Sequence, residues 1–362
     1  MTAFPSEDEG EVVQRLKDNA LRYRRTVERF GYLGTRECSS KYFNITSARS
    51  RRAPSAPTLD PARVSGRIHC YGGSTTHGVN VGDEETWPHL LEVNLRKVDD
   101  HTRVLNFGAG AHTSLHSSLH LLDHCLQGRV PTVAIFFNGL NDCIYAHLDP
   151  DGALPFLDLA LELSQHEPGT ETPIGELTSL IPRMGEGNAA SIADLRAAID
   201  EQDVLDLLRE RFAVAAGIRD LCARQWGVHI VQFWEPTPFV ACRLDQELVP
   251  RLRDSSEILH RAAATARLVA RVGVSEVLQT DAIVDLTSFG QDQLEGPLFL
   301  DEYHATPRLN CAIATQIGTH LEGGASRPSR RARLWWPRAK DNVSRARTPQ
   351  PPARDDLLYP LW

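Results

Sequence analysis

Between residues 66 and 321, short runs of β-branched and aromatic residues alternate with stretches whose apolar positions recur every three or four residues. The first pattern is that of buried or half-buried strands, the second that of amphipathic helices. Strands are predicted at 67–71, 103–107, 132–138, 228–234 and 282–286, and helices near 86–98, 114–126, 204–225, 256–272 and 309–321. Strands that alternate with helices are joined by crossover connections, which make the sheet parallel and cover both its faces. The expected fold is α/β, a three-layer α/β/α sandwich around a central parallel sheet.

Three segments depart from this rhythm. Residues 1–60 read as an N-terminal extension, with a helical pattern around 12–30 and an irregular basic stretch at 49–57. Within the main domain, 61–322, the stretch 145–198 is punctuated by Pro, Gly and Asp and is far longer than the roughly 12–15 residues beyond which a plain loop becomes uncommon. A substrate-covering insertion and a helical elaboration both fit it. Residues 323–362 are rich in Arg, Pro and Ser and offer few apolar side chains to offset ordering entropy, so a disordered tail is expected.

Composition narrows the class without naming it. A chain of 362 residues, 41% hydrophobic and 24% charged, is an ordinary globular protein. Its seven cysteines lie singly, with no C-x-x-C pair, and read as reduced thiols of a cytoplasmic protein. The net charge of −8 is carried by the body, because 323–362 holds nine Arg or Lys against three Asp. An acidic body argues against nucleic acid as a partner, since phosphate binding needs a basic face. No leader-like start and no apolar run near the roughly 20 residues of a membrane span is present. The oligomeric state has no signature here.

The strongest chemical signal is Tyr71-Gly72-Gly73-Ser74-Thr75-Thr76-His77-Gly78, directly after the first predicted strand. Glycines beside a serine at the carboxyl end of a parallel strand let the chain turn sharply where ligands bind in open α/β sheets. A phosphate-binding loop would require Lys and Ser/Thr where Val79 and Asn80 stand, and an α/β-hydrolase elbow would require a glycine where Thr76 stands. A dinucleotide site at Gly108-Ala109-Gly110-Ala111-His112-Thr113 would need a final glycine in place of Thr113.

Four blocks in order along roughly 240 residues resemble the SGNH (GDSL-like) family of serine esterases. The first is Gly73-Ser74-Thr75-Thr76 with Gly78 and the run Asp83 to Pro88. The second is Asn106 to Ser114, the third Gly139-Leu140-Asn141-Asp142, and the last Asp301-Glu302-Tyr303-His304. Gly73 stands where the family's name motif has Asp, Leu309 stands where a glycine is frequent, and the second-block glycine falls in register on Ala111, with Gly110 beside it.

The resemblance implies a flavodoxin-like fold with strand order 2-1-3-4-5. It also implies Ser74 as nucleophile, His304 as base and Asp301 as the residue that orients it. The oxyanion donors would be the Ser74 N–H, the Ala111 (or Gly110) N–H and the Asn141 amide. Cleavage of a small-molecule carboxylic ester, with a small or sugar-linked acyl group, through an acyl-enzyme follows, without cofactor or metal. An O-acyltransferase on the same site and a catalytically silent binding protein are the alternatives.

A second histidine pattern bears on metals. His112, His116, His120 and His124 recur every four residues, and such pairs can chelate zinc or nickel. Leu115, Leu119, Leu122 and Leu126 read as the apolar stripe of that helix, which places His116, His120 and His124 on its flank and far side. A solvated polar face is expected.

Overall fold

The computed structural model describes residues 14–15, 25–27, 33–56, 64, 66–148, 200–241, 257–290, 294–301 and 303–324. The segment 149–199, the core of the expected insertion, and the tail beyond 324 lie outside the described residues. Up to Gly318 the chain forms one compact unit; of the remainder, Thr319–Trp362, the described part is the end of the last helix.

Strands β1 (Arg25–Val27) and β2 (Leu33–Thr35) form a small antiparallel ribbon. The helical pattern near 12–30 is therefore not one helix. Thr26 and Val27 are β-branched, and pairing with Leu33–Thr35 supplies hydrogen-bond partners at little helical cost. The main sheet consists of β3 (Gly66–Gly72), β4 (Thr102–Asn106), β5 (Val133–Asn138), β6 (His229–Trp234) and β7 (Ile283–Asp285). Every neighbouring pair is parallel and the order is β4-β3-β5-β6-β7, the 2-1-3-4-5 arrangement expected.

Among the described residues the main helices are α1 (Ser74–His77), α2 (Trp87–Arg96), α3 (Ser114–Leu126), α4 (Leu140–Leu148), α5 (Glu201–Trp226), α6 (Pro238–Ala241), α7 (Glu257–Val272), α8 (Val274–Leu278) and α9 (Pro307–Gly324). Local chemistry sets their ends. Thr86 caps α2 by accepting from His89 N, Asp200 caps α5 by accepting from Gln202 N, and Gly227 ends α5 in the left-handed conformation.

Alternation along the central strands divides the core into two layers. Tyr71 on β3 and Phe136 on β5 pack with Leu121 and Cys125 of α3 and Cys222 of α5. On the opposite face Phe137 of β5 meets Trp87 of α2, and Gly318 of α9 lies against Leu91 of α2. A further cluster joins Leu140 and Cys143 of α4 to Leu208 and Phe212 of α5, Val269 of α7 and Trp234 of β6. β3 and β5 are buried along almost their whole length, as central parallel strands must be.

The described N-terminal residues add a brace. Arg51 bridges to Asn106 at the end of β4, and its guanidinium is buried. It donates from Nε to Asp83 Oδ1 at 2.7 Å, from Nη1 to His77 O at 2.9 Å and to Gly78 O, and from Nη2 to Val81 O at 2.7 Å. Asp83 in turn accepts from Asn44 N and Nδ2.

Removing one partner of a buried ion pair leaves the other charge uncompensated, which costs about 3–5 kcal/mol. Arg51→Met should lower the unfolding free energy measured by chemical denaturation by that much, moving the midpoint down, and adding Asp83→Asn should recover part of the loss. An Arg51→Met midpoint equal to the wild type would show that the brace contributes nothing to stability.

Candidate active site

The four motif blocks and the end of β6 meet at the carboxyl edge of the sheet, where open α/β folds bind ligands. β3 ends at Gly72 and the chain turns at once into α1, with His77 N bonded to Gly73 O and Gly78 N bonded to Ser74 O. Thr75, Thr76 and His77 are buried while Ser74 is partly exposed. Gly73 leaves room for Asn141, since a Cβ there would lie 2.3 Å from Asn141 Nδ2 and 3.3 Å from His112 O and the amide would have to move. That close approach sets the third block against the backbone just before Ser74.

The second block is tied to the first through buried polar contacts. Asn106 Nδ2 donates to Thr76 O at 2.8 Å, Asn106 Oδ1 accepts from Gly108 N at 2.9 Å, and His77 Nδ1 is bonded to Gly108 O at 2.8 Å. The chain then makes a β-turn over 109–112, closed by His112 N to Ala109 O at 3.2 Å. Ala111 sits in its third position with φ 65°, a left-handed conformation that favours glycine. The special backbone position of this block thus falls on Ala111 and not on Gly110. Asn141 Nδ2 donates to His112 O at 3.0 Å and so joins the third block to the second.

The last block forms its own unit. Asp301 Oδ2 is bonded to His304 Nδ1 at 2.7 Å, while Oδ1 accepts from Tyr303 N and His304 N at 2.8 Å each. Burial favours the neutral form of Asp301, but the His304 charge and these hydrogen bonds outweigh it and hold the carboxyl below its ordinary value. The unit is linked to the loop after α1 by Asn80, whose Nδ2 donates to Asp301 Oδ2 at 2.9 Å. Ser74 Oγ and His304 are not hydrogen-bonded to each other in this arrangement. Such contacts often form only when substrate is bound.

Two buried carboxylates lie beside these residues, Asp142 of the third block and Glu235, which no motif announced. Asp142 accepts from Ser114 N and is pushed up to about 6 by burial. Glu235, directly after β6, accepts from Leu140 N at 2.9 Å, is hydrogen-bonded to the Thr75 side chain, and is pushed up to about 7, mainly by burial. The sequence signal was slight: an acidic residue directly after the apolar run of β6.

The histidines of α3 reverse the expectation. His112, His116, His120 and His124 are buried, whereas Leu126 is 51% exposed. α3 packs against both the sheet and α5, and its buried side carries Ser117 and Ser118, the second of which accepts from Arg219 of α5. The imidazoles fill the rest of that side and find polar or aromatic partners. His124 is hydrogen-bonded to Tyr71 OH at 2.8 Å and lies 4.3 Å from the Phe107 ring, and His116 is bonded to Thr113 Oγ1 at 2.7 Å. Burial drives His116, His120 and His124 well below the ordinary histidine value, so they are packed as neutral rings. Among the described residues no group of three or more His, Cys, Asp or Glu is arranged to hold a metal, and no helix is long and apolar enough to cross a membrane.

No protein-family model and no curated protein matches the chain. Among solved structures it is similar to an alpha/beta hydrolase enzyme from the metagenome of Lake Arreo, Spain, at 16% identity, covering 71% of this chain and 96% of that one with a TM-score of 0.36. It is also similar to an acetyl xylan esterase, AlAXEase, at 14% identity, 70% and 99% coverage and a TM-score of 0.34. A third is a lipolytic protein of the G-D-S-L family from Veillonella parvula, at 11% identity, 70% and 96% coverage and a TM-score of 0.32.

The left-handed turn at Ala111 gives a test of this geometry. An L-residue held in that region costs roughly 1–2 kcal/mol, and glycine escapes most of it at some expense in unfolded-chain entropy. Ala111→Gly should therefore raise stability by about 0.5–1 kcal/mol, and Ala111→Val should lower it by more. Thermal denaturation of the two variants decides the matter; a destabilised Ala111→Gly would mean that the turn is not as described.

Proposed function

We propose that this protein is a serine hydrolase of the SGNH type that cleaves carboxylic esters through Ser74, His304 and Asp301. The observation that carries the reading is the convergence at one sheet edge of a partly exposed serine on a glycine turn, a left-handed backbone turn, an asparagine amide and a carboxylate-bound imidazole. Together they supply the nucleophile, the oriented base and the oxyanion donors that acyl transfer uses.

In this reading His304 takes the Ser74 proton as Oγ attacks the ester carbonyl, and Asp301 holds the imidazole in the tautomer that can accept it. The hydrogen bond from Nδ1 to Asp301 Oδ2 leaves Nε2 as the acceptor. Negative charge then develops on the carbonyl oxygen, and the Ser74 N–H, the Ala111 N–H and the Asn141 amide receive it. Asn141 spends one N–H on His112 O, which fixes the amide plane and leaves the second N–H for the oxyanion. His304 returns the proton to the leaving alcohol, and water repeats the sequence on the acyl-enzyme. The substrate class is an ester with a small or sugar-linked acyl group, following the motif resemblance.

The experiment combines labelling with steady-state kinetics on p-nitrophenyl esters. A fluorophosphonate should modify Ser74 alone, and Ser74→Ala should abolish turnover; labelling elsewhere, or a fully active Ser74→Ala, would sink the reading. Asn141→Ala should lower kcat by roughly 10²–10³ with KM little changed, because its bond strengthens only as charge develops. In the Ser74→Ala background the same change should cost far less. If the two penalties multiply fully, Asn141 does not serve the oxyanion formed by Ser74.

A further inference from the structure

Glu235 stands where three parts of the site meet. Its backbone N donates to Asn138 O at 2.9 Å, which keeps it in register with the end of β5. Its side chain is buried, at 2% exposure for the residue. Oε1 accepts from the N–H of Leu140, the residue before Asn141, and the carboxyl is also hydrogen-bonded to Thr75, the residue after Ser74. The titratable groups that face it are Asp142 and Cys143 on α4 and His304 ahead of α9.

We infer that Glu235 is a positioning residue of this site, tying the Ser74 turn to the helix that carries Asn141 and, when ionised, lending negative charge to His304 during the reaction. The inference rests on the hydrolase reading above. Glu235 touches no reacting atom in this scheme, and no bond is made or broken at it.

The two hydrogen bonds alone do not require a carboxylate. An amide oxygen would accept from Leu140 N equally well and would escape most of the cost of burying a charge. What glutamate adds is ionisation near neutrality. Burial, its largest influence, pushes its proton affinity up to about 7, Asp142 adds to the rise, and the bonds from Leu140 and Thr75 and the charge of His304 oppose it. The coupling with His304 is reciprocal: if the cation favours the carboxylate, the carboxylate favours the cation by the same amount. When His304 takes the serine proton in the reaction it becomes a cation, and the ionised form of Glu235 stabilises that cation more than the neutral imidazole.

The test uses the full chain, with fluorophosphonate labelling of Ser74 and kcat/KM for p-nitrophenyl acetate over about pH 5 to 9. Glu235→Gln keeps the shape and an acceptor for Leu140 N while removing the charge. Ser74 should still be labelled in this variant, and kcat/KM at about pH 8 should fall by roughly three- to tenfold with KM little changed. The acid limb of the profile, which in the wild type includes the ionisation of Glu235, should become shallower and move to lower pH by about half a unit.

Thr75→Val supplies a second probe should the first variant fold poorly. It deletes a bond that favours the ionised form, so it should move the same limb to higher pH. Profiles that superimpose on the wild type, or a Glu235→Gln that changes thermal stability alone, would overturn the inference and leave the hydrolase reading standing. A wild-type protein that is not labelled at Ser74 would overturn both.

Discussion

A chain that reverses sharply after a buried strand leaves carbonyl oxygens with no partner in helix or sheet, and they must find donors or the turn does not form. Here one guanidinium meets most of that demand. Arg51 donates to the carbonyls of His77, Gly78 and Val81 and closes on Asp83, so a buried side chain from the N-terminal part of the molecule joins Asn106 in holding the segment after Ser74. The loop so fixed carries Asn80, which reaches Asp301, and packs against Asn106 and Gly108 of the next block. The arrangement at the sheet edge depends on this brace, because the Ser74 turn, the second block and the Asp301–His304 pair all connect through that loop.

The parts of this design written locally were legible in the sequence. β3 and β5 are central and covered on both faces, so they read as near-continuous apolar runs, and the helices between them keep their periodicity. The motif blocks were visible because each is a short string that carries its own turn chemistry. What could not be read depends on contacts across the chain. Arg51 belongs to a basic, irregular stretch, and nothing in its neighbours tells that its partner is Asp83, 32 residues on. The motif register fell on Ala111 with Gly110 left open beside it, and only the backbone shows that the left-handed position is Ala111. Arg25–Val27 became a strand because Leu33–Thr35 was there to pair with it.

The histidine side of α3 shows why a helical stripe can mislead. Period analysis assumes one apolar side facing one partner, and the leucines satisfied that assumption. α3 instead has its buried side against both the sheet and α5, and on that side Tyr71 bonds His124, Thr113 bonds His116, and the rings of His120 and His124 pack on each other. A neutral imidazole buried with a hydrogen bond and aromatic neighbours is a tolerable core residue. Because the desolvation that lowers the proton affinities of His116, His120 and His124 is shared by the whole row, protonating any one of them would work against the packing of α3 on β3.

Three buried or half-buried carboxyls within one sheet edge have been driven to different states by their surroundings. Asp301 is held below its ordinary value because His304 and two backbone N–H groups together outweigh burial. Asp142 and Glu235 lie above theirs chiefly because both are buried, and at Glu235 the charge of Asp142 adds to the rise. Separated proton affinities of this kind are how one scaffold assigns different tasks to chemically similar groups. An anion already formed at Asp301 can hold an imidazole in one tautomer without competing for its proton. In the proposed scheme a carboxyl balanced near neutrality at Glu235 responds instead to the charge that His304 acquires, and it sits where the Ser74 turn and the Asn141 helix meet.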